Sequence, residues 1–175
     1  MLTKITFLFL FPIFLFGYTF PFYTAEDVYF SQINKKSVET IDFNANNNKY
    51  QLSSDSNKSI FETILADLFV GGDNKLTQFA KKYNITLSKK HLELVNKIPS
   101  IAYGSEKKDN TISQIWLQNE TGFPVKVLVD AKGEKVILNF LEYNNNKYGF
   151  LFPTKISFEQ NGKETIYQIS NITIK

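Results

Sequence analysis

From Pro99 to the C-terminus the chain is a succession of short runs rich in Val, Ile, Phe and Tyr, each closed by turn residues. No other feature restricts its fold as much. The runs cover residues 100–104, 112–118, 125–130, 134–143, 154–160 and 164–174. Between them lie Lys108-Asp109-Asn110, Glu120-Thr121-Gly122, Ala131-Lys132-Gly133, Asn144-Asn145-Asn146 with Gly149, and Asn161-Gly162. The last pair accepts positive φ at both positions, which is what a type I′ hairpin requires. A parallel crossover consumes about a dozen residues or more, so these short connections predict an antiparallel meander.

Side-chain alternation says how such a sheet is used. Val125, Val127 and Val129 fall on one face and Lys126 on the other, whereas Leu138 and Phe140 alternate with Ile137, Asn139 and Leu141. The strand from Glu134 is therefore apolar on parts of both faces, and each face needs a cover. Helices can supply one; a ligand cavity, a second sheet layer or the N-terminal segment can supply the other. In the final run Tyr167 and Ile169 have one parity and Ile172 and Ile174 the opposite. That switch near Ser170-Asn171 predicts a β-bulge, a device that bends a sheet into a trough.

Upstream, residues 38–43 and 50–52 form two β-prone runs around Asn46-Asn47-Asn48, the pattern of a hairpin. From Ser56 the period changes, because Ile60, Phe61, Ile64, Leu65, Leu68 and Phe69 make a broad apolar stripe on one helix face. Ser56 or Asn57 can cap its start and Gly71-Gly72 can stop it. Asp73 is expected to cap a second helix carrying Leu76, Phe79, Ala80 and Tyr83, with Lys81 and Lys82 at its C-terminal end. The two helices read as core packing against the sheet, or more sharply as a lid over a cavity. The expected fold class is α+β, an antiparallel curved sheet forming an unclosed half-barrel around these helices, with Trp116 on its inner side or rim.

Composition removes many chemistries. The 175 residues contain no cysteine and a single histidine, and all 20 basic residues are lysine. Disulfides, thiolate metal sites, thiol nucleophiles and lipid-modified cysteines are excluded. Without the planar guanidinium fork, nucleic-acid recognition is disfavoured, and the lysine pairs are spread among acids as on a solvated face. His91 has no Gly-x-Ser-x-Gly elbow to partner it, no phosphate-binding loop is present, and the carboxylates do not form an acid/base pair. The expectation is a non-enzymatic protein without a cofactor or metal.

The N-terminus, MLTKITFLFLFPIFLFG, has one charge at Lys4, an apolar run over residues 5–16 and the small residue Gly17. This is the pattern of a secretory signal; a retained anchor is disfavoured because Pro12, Gly17 and Pro21 interrupt the stretch. Cleavage near Gly17 would leave residues 18–175 as one domain in the periplasm or secreted.

Residues 113–163 carry a resemblance. Ile115-Trp116-Leu117 is followed by Glu120-Thr121-Gly122-Phe123-Pro124-Val125-Lys126, then an alternating strand ending at Tyr143, then Gly149, Phe152-Pro153-Thr154-Lys155-Ile156 and Asn161-Gly162. In order and spacing these pieces resemble the C-terminal half of the outer-membrane lipoprotein-sorting proteins, the LolA/LolB-like periplasmic carriers. The segment Ser100-Ile101-Ala102-Tyr103-Gly104 looks like uncharacterised secreted relatives of those carriers. The resemblance implies a half-barrel that holds lipid or lipoprotein acyl chains in an apolar cavity, working as a monomer with membrane-associated delivery partners. Residues 26–98 do not match the family's opening elements, and no arginine is present to serve as a cavity latch. Candidate lining residues are Ile115, Leu117, Val125, Val127, Val129, Leu138 and Phe140. In a carrier, Phe140→Ala is expected to cost less stability than in a filled core. The rival reading is a secreted structural or protein-interaction domain whose interior is filled by its own side chains.

Overall fold

The computed structural model describes residues 37–54, 59–72, 74–144 and 152–175. The leader, the Ser56 or Asn57 cap and the Asp73 cap lie outside the described residues. Nine strands form one wholly antiparallel sheet: β1 (Thr40–Ala45), β2 (Asn48–Ser53), β3 (Lys90–Val95), β4 (Ile98–Tyr103), β5 (Gln114–Gln118), β6 (Pro124–Ala131), β7 (Glu134–Tyr143), β8 (Pro153–Gln160) and β9 (Lys163–Ile174). Their spatial order is β2-β1-β9-β8-β7-β6-β5-β4-β3, so β2 and β3 are the two edges and the sheet does not close. Helices α1 (Ile60–Phe69) and α2 (Lys75–Lys82) connect one edge to the other. The fold is the α+β unclosed curved sheet expected from the turn spacing.

Turn chemistry explains the register. Asn46-Asn47 joins β1 to β2 and Asn161-Gly162 joins β8 to β9, with φ positive at all four residues. Asn46 also ties its hairpin to β9, donating from Nδ2 to the Ile166 carbonyl at 2.8 Å and accepting from the Gln168 N–H at 3.3 Å. The expected bulge in β9 is present: Asp42 faces Thr173 and Asn44 faces Ser170, so Asn171 and Ile172 together oppose Phe43. Asn171 takes the left-handed conformation there, with φ of 53°.

Each helix is built as its apolar pattern dictates. Ser59 caps α1 through a reciprocal box in which its Oγ accepts from the Glu62 N–H at 3.3 Å while Glu62 Oε2 accepts from the Ser59 N–H at 3.2 Å. Phe61, Ile64, Leu65, Leu68 and Phe69 are buried, as are Leu76, Phe79 and Ala80 of α2. The residue capping α2 is Asn74, which sits in the left-handed region and makes no side-chain capping bond. Both helices join one continuous core with Ile41, Phe43, Leu52, Val136, Ile156 and other residues from one face of the sheet. They press into that face, as the stripes around Ile64 and Phe79 predict.

Two expectations are corrected. Trp116 is not on the helix-bearing face: it belongs to a separate cluster on the opposite face with Val95, Ala102, Val125 and Leu128. Val125 shares that cluster and so parts from Val127 and Val129. Plain alternation places Trp116 there, because its neighbours Ile115 and Leu117 face the helices. Val125 is displaced by a bulge in the β5–β6 pairing, where Trp116 faces Lys126 and Leu117 faces Pro124, leaving Val125 as the inserted residue. Simple alternation cannot see an insertion of this kind.

Candidate functional site

The helix-bearing face was the candidate cavity wall. Ile115, Leu117, Val127, Val129, Leu138 and Phe140 all lie on it and all are buried in the main core. They sit on three adjacent strands, because β5, β6 and β7 pair in sequence order and opposed residues such as Ile115 and Val127, or Val127 and Leu138, share a face. Val125 is buried on the opposite face.

Aromatic rings from the helices occupy the space above this wall. Phe69 of α1 meets Phe140 edge-on at 6.0 Å between centroids and Phe152 at 5.1 Å. Phe61 stacks on Tyr167 at 3.9 Å and meets Phe158 edge-on at 5.4 Å. Phe43 continues the series, stacked on Tyr50 at 5.1 Å and tilted against Phe152 at 5.5 Å. Offset and edge-to-face pairs such as these contribute about 0.5–1.5 kcal/mol beyond the area they bury.

Polar groups fasten the helices to each other. Asp67 of α1 accepts from Lys82 Nζ at 2.7 Å and from the Tyr83 hydroxyl at 2.7 Å. Burial, followed by the hydrogen bond and charge of Asp67, pushes the Tyr83 phenol well above its ordinary range. Lys75 is 3% exposed and donates from Nζ to the Phe69 carbonyl at 2.9 Å, satisfying the end of α1. Burial lowers its pKa to about 8. Beside them, Ser53, Thr63, Asp67, Gln78 and Lys82 line a crevice of about 350 Å³ between β2 and the helices.

The opposite face holds a second polar group around the edge strand β3. Trp116 Nε1 donates to Glu93 Oε2 at 2.7 Å, Lys108 Nζ lies 3.0 Å from Glu93 Oε1, and Lys126 Nζ stands 4.6 Å over the indole ring. Burial alone would raise the Glu93 carboxyl, but the Trp116 and Lys108 contacts and the charge of Lys126 outweigh it and hold the pKa below the ordinary value. His91 Nδ1 is 3.0 Å from the Ser105 carbonyl, while Nε2 makes no hydrogen bond and sits 3.5 Å from Glu93 Oε2. This arrangement is structural: it pins β3 to Trp116 and to the β4–β5 connection. Among the described residues no three or more His, Cys, Asp or Glu side chains are placed to hold a metal ion.

Large apolar side chains are exposed on β3 itself. Leu92 and Leu94 are 78% and 70% exposed. Leu92 faces Ile101, which faces Leu117, so both leucines lie on the same side of the sheet as the helices but past the helices' reach. Their i, i+2 spacing on one strand face is the signal that marks these leucines in the sequence. No family model, curated protein or solved structure matches the chain, so its function is read from its own geometry.

Proposed function

We propose that the chain is a non-enzymatic interaction domain acting outside the cytoplasmic membrane, with its half-barrel filled by its own helices. The observation that carries this reading is a contrast: six of the seven candidate lining residues are buried in the core that α1 joins, while the large exposed leucines stand on the free edge at β3. Magnitudes make a ligand a competitor of α1. Admitting an acyl chain requires α1 to withdraw Phe61, Ile64, Leu65, Leu68 and Phe69, and burying five such side chains is worth roughly 7–15 kcal/mol. Fourteen or so buried methylenes of a ligand would return about 11 kcal/mol, so ligand could replace the helix but not add to it.

A second reading, the acyl-chain carrier, draws on the unclosed sheet: the two edges do not pair, so α1 and α2 are a separable cover for the trough. Lipid extraction with mass spectrometry and displacement of a fluorescent fatty acid decide between them. The filled-interior reading expects no co-purified lipid and a melting midpoint unmoved by the probe. Saturable probe binding with a midpoint that climbs with probe concentration would establish the carrier instead.

A further inference from the structure

Strand β3 ends the sheet, and its outer edge has no neighbouring strand among the described residues. In an antiparallel ladder every second residue turns its N–H and C=O away from the existing partner, so such an edge presents a row of open backbone groups. Natural edges are commonly blunted by a bulge or a proline. This one is regular: six consecutive residues from Lys90 to Val95 pair with β4 without a register shift. Its geometry is fixed at both ends, by the Asn96-Lys97 turn with φ of 51° and 67° and by the Gly104 N–H, which donates to the Lys89 carbonyl at 2.8 Å. The other edge differs, because Leu52 of β2 is buried and Tyr50 packs against the core. Among the described residues only β3 joins a free backbone edge to bare apolar side chains.

We infer that this edge pairs with the same edge of a second copy of the chain, antiparallel about a two-fold axis through Leu92. It deepens the interaction reading, on which it rests, by naming the partner, and it departs from the monomer expected from the sequence. The charge pattern selects the register. An axis at Leu92 keeps the two Glu93 carboxylates apart, each facing the partner's His91 ring, and sets Leu92 opposite Leu92 and Lys90 opposite Leu94, whose side chain the lysine stem can cover. The four leucines then form one apolar row on the helix-bearing side of a joined sheet. An axis at Glu93 would set two carboxylates directly against each other, which is destabilising. An axis at His91 would set each Leu92 against a lysine and leave Leu94 beyond the paired residues, and one at Leu94 would bring Leu92 against Asn96 in the turn. Pairing through one short strand buries less than the roughly 1,600 Å² of a standard interface, so the dimer is weak and concentration-dependent.

A cysteine-free chain makes the register directly testable. In the proposed dimer two Leu92→Cys residues face each other with Cα atoms about 4.5–5.5 Å apart, inside disulfide range. Two Leu94→Cys residues would be offset by four positions, roughly 13 Å, and out of range. Mild oxidation should therefore cross-link Leu92→Cys at least about tenfold faster than Leu94→Cys. Sedimentation equilibrium of the unmodified protein should show a dimer that grows with concentration, and Leu92→Lys should abolish it while leaving the circular dichroism and melting midpoint unchanged. A protein that stays monomeric at every soluble concentration overturns the proposal, as does equal cross-linking at both positions. The fatty-acid probe tests the filled interior independently, so the two readings can fail separately.

Discussion

Phe140 is where packing and ligand binding make opposite demands on one side chain. It is 3% exposed, with the Phe69 ring edge-on to it and Tyr143 tilted against it at 6.3 Å. Truncation to alanine leaves a hole that these rings cannot easily close, so Phe140→Ala should cost about 3–5 kcal/mol in urea denaturation. That reverses the smaller loss anticipated for a ligand-bordering ring, and a loss below about 1 kcal/mol would return the carrier to first place. A second residue ties stability to pH. The unfolded chain keeps the Lys75 proton to about pH 10.4, whereas the folded chain releases it near pH 8. Between those values the unfolded state binds more protons, so stability rises with pH. From pH 7.5 to 9.5 the gain should reach about 2 kcal/mol, and it should vanish in Lys75→Met. Measurements belong below pH 10, where ionisation of tyrosines in the unfolded chain would begin to oppose the trend, since Tyr83, Tyr103 and Tyr167 are all held protonated by the fold.

At the scale of elements, α1 has ten residues, too few for a stable isolated helix, so its cap and its packing must both contribute. Ser59→Ala removes the acceptor for the Glu62 N–H and the reciprocal box with it, and should lower stability by about 1 kcal/mol without altering m. In the sequence this cap is marked by a Ser-x-x-Glu signature, Ser59 with Glu62, which the competing candidates at Ser56 and Asn57 obscured. The strands after Pro99 were readable because glycine and asparagine turns bracket uninterrupted β-branched and aromatic runs. β3 was not, since Lys90, His91 and Glu93 dilute its alternation and its turn, Asn96-Lys97, contains no glycine. The wall of the trough was readable by parity at six of seven positions. Its occupant was not, because an apolar face looks the same in sequence whether a phenylalanine of α1 or a ligand lies against it.

Across the whole molecule, strand order turns a simple meander into a structure fastened where its first described strand meets its last. β1 lies beside β9, and Lys175 closes the junction: its carbonyl accepts from the Glu39 and Thr40 N–H groups at 2.8 and 3.1 Å, and its own N–H donates to the Thr40 carbonyl at 3.0 Å. The β1–β2 hairpin can join the sheet only after the last strand is made, so closure of this long loop belongs late in folding. The face away from the helices has a consequence of another kind. Trp116, turned from the helices by its place between Ile115 and Leu117, shares that face with the inserted valine and sets its indole nitrogen against Glu93, so the single tryptophan is blind to the trough and wired to β3. Emission from this indole would stay silent if α1 lifted away, and would change colour and intensity when the edge strand acquired a neighbour or its carboxylate took up a proton.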